Sequence, residues 1–223
     1  MLSILLAGCA GRPVAPTESA SELFEAVYRL SHDYLLTVEP TDLATVIDAE
    51  NRLSNAQKKR LLDLTERGAA GARADIRAEP RNARHHLLLG LHLSIGSLGK
   101  NLLASMLEGR GSRIQRAYTE SIRLDRTLEG GAALRLKGKF LMSAPWPIRD
   151  RKGAERALRA AAKIRDVPQI HLFLGDLYHA QGKDGQALRE WQRATEPPPG
   201  ESDGRGVDGH LRELAQRRIR LSR

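Results

Sequence analysis

This 223-residue sequence has a single cysteine, Cys9, and few aromatics: three Phe, two Trp and four Tyr. One cysteine excludes an internal disulfide and any C-x-x-C redox or zinc motif. So few aromatic rings cannot build the stacking platform that single-stranded nucleic acid requires. No apolar run approaches the ~20 residues that span a bilayer, and no alternating apolar stretch argues for a strand. H-E-x-x-H does not occur, so the zinc-hydrolase motif is lacking. Acidic residues are in deficit: 27 Asp and Glu stand against 36 Lys and Arg, for a net charge of +9. The basic residues are spread along the whole chain, which argues against a nucleic-acid footprint. It leaves anionic lipid headgroups or an acidic protein as charge partners.

What the chain does contain is helical sequence rich in Ala, Leu and Arg. Residues 168–199 read PQIHLFLGDLYHAQGKDGQALREWQRATEPPP. This matches the tetratricopeptide repeat (TPR) pattern W-x2-L-G-x2-Y, then A-x3-F-x2-A-x4-P. Leu174 and Gly175 hold the L-G pair, Tyr178 the Y, Ala187 the first A, Trp191 the F, Ala194 the second A and Pro199 the P. His171 stands where Trp is usual. Each position has a packing reason. Leu174 and Tyr178 lie four apart on one helix face. Gly175 and Ala187 are small so that two helices can approach. Trp191 and Ala194 continue the buried face. Gly182 is expected to stop the first helix and Asp184 to cap the second, with Pro197–Pro199 ending it.

Two weaker copies lie upstream. In the first, Leu134, Gly138 and Leu141 fill the first helix, and Ala154, Leu158 and Ala161 the second. The turn Ala144-Pro145-Trp146-Pro147 lengthens the gap between them. In the other, His86, Leu89, Gly90 and Leu93 mark a first helix, and Ala117, Ser121 and Leu124 are expected at the second-helix positions. Stacked repeats need about three copies to bury a continuous core. The expected fold is therefore all-α, an irregular TPR-like helical-hairpin solenoid. Insertions in solenoids fall in loops on one face, often the binding face, so Trp146 has two readings: a binding anchor stiffened by Pro145 and Pro147, or a plug at the end of a helix pair.

Elsewhere, Ser19-x-x-Glu22 and Ser54-x-x-Gln57 are capping boxes. The first opens a helix with Leu23, Val27, Leu30 and Tyr34 on one face; another helix is expected from Pro40-Thr41 through Val46 and Ile47. The second precedes Leu61, Leu62 and Leu64, with a kink expected at Gly68 or Gly71 and a break at Pro80-Arg81-Asn82. The Arg-rich end ELAQRRIRLSR reads as a capping helix with Leu211, Leu214 and Ala215 inward and its arginines on the polar face. Gly96–Asn101 resembles a phosphate loop only faintly: the G-x4-G-K-[ST] spacing fails and a helix precedes it. His85, His86 and His92 share one helix, but no third ligand is spaced to complete a zinc site. They are read as core or surface histidines. No catalytic residue, metal or cofactor is expected.

At the N-terminus, Leu6-Ala7-Gly8-Cys9 resembles the bacterial lipobox, a leucine and two small residues before an invariant cysteine. The resemblance implies a signal peptide cut before Cys9 and acylation of that residue; the alternative is an ordinary buried cysteine. Residues 1–8 lack the positive n-region and full apolar stretch of a signal peptide and read as a truncated one, its start placed too far downstream. Residues 9–21 would be the lipidated cysteine and its tether, 22–199 the repeats, and 200–223 a loop and capping helix. Two or more acyl chains would anchor the protein stably, and Ala10 after the cysteine implies the outer membrane, facing the periplasm.

A narrower resemblance rests on Gly130-Gly131-Ala132-Ala133-Leu134-Arg135, Gly138, Leu141, Ala144–Pro147 and HLFLGDLY. Over residues 50–197 the chain resembles the T component associated with TRAP-type solute transporters. That family implies a non-catalytic bacterial lipoprotein that assists a periplasmic solute-binding protein, with hydrophobic ligands. A general scaffold for peptidoglycan or outer-membrane assembly is the alternative.

Overall fold

The structure, a computed structural model, describes residues 19–24, 26, 54–97, 108–196 and 207–222. Among these residues there are helices and turns and no strand, and no helix is long and apolar enough to cross a membrane. A short helical segment occupies residues 20–24. The longer helices are α1 (Asn55–Ala78), α2 (Ala83–Gly96), α3 (Arg110–Leu124), α4 (Leu128–Ser143), α5 (Arg151–Ala162), α6 (Pro168–His179), α7 (Asp184–Arg193) and α8 (Val207–Leu221). Cys9, the tether, Val27, Leu30, Tyr34, the helix expected through Val46 and Ile47, and Pro197–Pro199 lie outside the described residues.

The helix starts follow local chemistry. Ser19 and Glu22 close a capping box, the Ser19 N–H donating to Glu22 Oε2 at 2.7 Å and the Glu22 N–H to Ser19 Oγ at 3.2 Å. Ser54 and Gln57 close a second one before α1. Asn82 accepts from the Arg84 N–H to start α2, and Asp150 from the Gly153 N–H to start α5. Each satisfies a donor that the first helical turn leaves orphaned. Pro168 opens α6, where its missing N–H costs nothing.

Two features differ from the sequence expectation, and a third was not read from the sequence. Helix α1 runs unbroken through Gly68 and Gly71; Gly68 is there because the His92 ring occupies the space a Cβ would need. Asp184 is the first residue of α7, not its cap, and its carboxylate is held by His179 Nδ1 at 2.8 Å. The first turn of α4 is left-handed at Glu129, Gly130 and Gly131, with φ of 49°, 65° and 79°. Two glycines accept that conformation readily, and Arg135 binds the Gly130 carbonyl at 2.6 Å from the next turn.

The helices pack as successive antiparallel hairpins, α2 with α3, α4 with α5 and α6 with α7. The first helices α2, α4 and α6 also neighbour one another. Helix α1 covers α2 at one end, and α8 covers α6 and α7 at the other. The core has no centre. One cluster runs from Ala20, Ala69 and Ala72 through Leu87, Ile114 and Tyr118 to Ala132 and Ala133. A second runs from Leu134 and Leu158 through Ile170, Leu174 and Trp191 to Leu211 and Ala215. Ile122 packs against both, so burial is continuous along the stack, as a nearest-neighbour solenoid requires.

Candidate interaction surface

The hairpins close at three equivalent glycines. A Cβ on Gly90 would lie 2.6 Å from Tyr118 Cε1, and one on Gly138 would lie 2.7 Å from Leu158 Cγ. A Cβ on Gly175 would enter the Trp191 ring. In each hairpin a large second-helix side chain thus lies on the backbone of the first helix. Leu174 and Tyr178 are buried beside this contact, Ala154, Ala187 and Trp191 are buried on the second helices, and Ala194 is buried at the C-cap of α7. The register of α3 differs from the sequence reading. Tyr118, not Ser121, faces Gly90, with Ile114 one turn before it and Ser121 three residues after, its hydroxyl donating to the Ala83 carbonyl. The long connection between α2 and α3 hid that register, because spacing counted across an insertion has no fixed origin.

Several polar groups inside the stack pair with one another. His171, in place of the usual Trp, sits between Glu190 at 2.7 Å from Nδ1 and Asp166 at 2.7 Å from Nε2. It joins α7 to the turn before α6, and Arg193 reaches Asp166 at 3.4 Å. The Tyr178 hydroxyl donates to Glu155 at 2.9 Å and accepts from Arg159 at 2.6 Å. Burial, then the hydrogen bond to Glu155, pushes the Tyr178 phenol up. Burial works to raise Glu155, but the hydrogen bonds from Tyr178 and Arg159 bring it net below its ordinary value. Asp176 accepts from the Trp191 indole N–H at 3.0 Å and from Nε and Nη2 of Arg218, at 2.6 and 3.0 Å. Arg218 is therefore an inward, buried residue of α8 and not part of its polar face. Arg110 is likewise buried, binding the Leu93 carbonyl and Glu66. Periodicity cannot distinguish such an arginine from a solvated one.

These arrangements bridge helices. His92 is fully buried with Nε2 on the Ala20 carbonyl at 2.9 Å, and His86 Nε2 is on the Pro80 carbonyl at 2.9 Å. Among the described residues no group of three His, Cys, Asp or Glu is placed to hold a metal. Gly96 ends α2 against Thr65 and Arg110.

Among the described residues, two surfaces carry exposed or partly exposed groups suited to contact with other molecules. The first is the row of first helices. Arg135 Nε reaches Gln169 at 3.2 Å and the Lys139 ammonium lies 5.4 Å from the Phe173 ring centre, so α4 and α6 present a joined face of partly exposed basic, amide and aromatic groups. Burial lowers the Lys137 amine on α4, and burial, then the nearby Arg165 charge, lowers the Arg135 guanidinium. The sequence reading named Arg135 and the segment holding Phe173 only within a family resemblance and did not pick out Lys137, Lys139 or Gln169; Arg135 and Lys139 at i and i+4 beside Gly138 were the available signal. The second surface is Trp146, 82% exposed. It plugs no helix end. Its loop is fixed around it, with Ile148 and Arg149 N–H groups on the Pro145 carbonyl and the Asp150 N–H on the Leu141 carbonyl.

By sequence, the chain matches no protein-family model and no curated protein. By shape it is similar to TTC0263, a thermophilic TPR protein of Thermus thermophilus, with a TM-score of 0.59 over 90% of this chain and 92% of that one at 16% identity. MamA aligns at a TM-score of 0.46 and 21% identity, over 76% of this chain and 93% of its own.

Proposed function

The fold is an all-α TPR-type helical solenoid, and we propose that the protein is a non-catalytic scaffold of the bacterial cell envelope. Cys9 carries the lipid anchor, and the repeats hold a protein partner, in the manner of an accessory to a periplasmic solute-binding protein of a TRAP-type system. The observation that carries the scaffold reading is the joined face of α4 and α6, built on hairpins tied together by internal polar pairs. The lipobox residues Leu6–Cys9 support the anchor, and Trp146 is assigned to contact with another molecule.

The test is fractionation with co-isolation. Full chain expressed with a complete signal should enter the membrane fraction, and Cys9→Ser should release it to the soluble periplasm. Cross-linked wild-type protein should bring down an exported solute-binding protein. Recovery of peptidoglycan or outer-membrane assembly components instead would favour the general assembly scaffold. Unchanged membrane partition of Cys9→Ser would remove the anchor from the account.

A further inference from the structure

We infer that the Trp146 loop docks the solenoid onto an anionic lipid surface. This rests on reading Trp146 as a contact residue; it depends neither on acylation of Cys9 nor on which protein the repeats hold. The loop joins α4 to α5 and carries its indole outward, 82% exposed. A ring that protrudes this far fits a fluid surface, which can close around it, and indoles favour the headgroup layer of a bilayer.

The backbone of the loop is suited to that layer. Entering lipid costs heavily for every unsatisfied peptide group. Pro145 and Pro147 have no N–H at all, so Trp146 is the one donor at the tip. The next three N–H groups, of Ile148, Arg149 and Asp150, turn inward to the carbonyls of Pro145 and Leu141 at 3.0 to 3.1 Å. The Arg149 side chain covers the Ala144 carbonyl at 2.9 Å. Ile148 anchors the loop from behind, lying over Gly111 at the start of α3.

Charge completes the match. Arg149, Arg151 and Lys152 follow the indole and are exposed. Asp150, the acidic residue among them, caps the Gly153 N–H and faces Arg156 at 3.8 Å, so its charge is spent locally. An exposed indole bordered by cations, with the three backbone donors that follow its loop tip turned inward, matches the interfacial pattern of aromatic insertion beside anionic headgroups. An acidic protein would satisfy the cations but gives no reason to turn the following backbone donors inward.

The test uses the full chain with Cys9→Ser, so that no acyl chain contributes. Vesicles of phosphatidylcholine with and without phosphatidylglycerol are the probe. Binding should require phosphatidylglycerol and weaken with salt. Of the two tryptophans, Trp191 is already buried on Asp176, so a blue shift of emission on binding reports Trp146. Trp146→Ala should abolish the shift and weaken binding about tenfold or more, with an unchanged melting temperature. Arg151→Glu with Lys152→Glu should weaken binding at least as much. Vesicle binding that survives Trp146→Ala overturns the inference. So does absence of vesicle binding together with loss of a protein partner in Trp146→Ala, which would leave Trp146 a contact residue for protein.

Discussion

Ala187 shows how little freedom a single position in this stack has. It is fully buried on α7, one turn before the Trp191 ring that lies on Gly175. Ala187→Arg would overpack the site and bury an unpaired charge, at a cost of about 3 kcal/mol or more. Denaturant titration should show that loss, and a midpoint equal to wild type would mean that the repeat register is wrong. His92 sets a different limit. Burial lowers its pKa, more than the hydrogen bond to the Ala20 carbonyl raises it. The Nε2 proton is committed to that carbonyl and Nδ1 has no partner, so a second ring proton would be buried without an acceptor. A histidine with a depressed folded pKa contributes stability above its unfolded value, about 6.5, and that contribution is lost as pH falls toward the folded value. Melting temperature should therefore decline from about pH 6.5 downward, before the carboxylates titrate. In His92→Gln, which can still donate to Ala20, the decline in that window should be absent; an unaltered profile would assign it to another group.

Among the described elements, α8 is attached through an ion pair buried on both sides. Arg218 and Asp176 are 6% and 1% exposed, and the pair ties α8 to α6. Removing one partner leaves a buried charge uncompensated, at about 3–5 kcal/mol, whereas replacing both by apolar groups of similar size is often neutral. Arg218→Met should accordingly destabilise far more than Arg218→Met with Asp176→Leu, less the Trp191 hydrogen bond that Asp176 also accepts. A double-mutant cycle by thermal denaturation measures this, and equal losses would mean that the pair adds nothing. Element identity was legible where residue spacing is uninterrupted. α6 and α7 could be read from Leu174, Gly175, Tyr178, Ala187 and Trp191 because a short turn keeps their register. α3 could be placed as a helix, but its inward residue was assigned three positions late because the connection from α2 is long. The left-handed turn at Glu129–Gly131 was only a pair of glycines in sequence, and the burial of Arg218 depends on a carboxylate forty-two residues away. Trp146 was visible as an insertion, while its exposure was decided by the hydrogen bonds that fold the loop beneath it.

At the scale of the whole molecule, nearest-neighbour stacking leaves a long surface and no enclosed centre, so function falls to faces. The net charge of +9 is distributed so that internal arginines bridge helices while Arg149, Arg151 and Lys152 stay in solvent. If the row of first helices holds the partner, contact should be specific to that face. Position-resolved photo-crosslinking in cells tests this most directly. A photoreactive residue at Lys139 or Phe173 on α4 and α6 should give a discrete adduct with one exported protein. The same residue at Arg156 or Arg189, exposed on the second helices α5 and α7, should not. Equal adducts from both faces, or none from Lys139 and Phe173 in folded, correctly exported protein, would contradict the scaffold account.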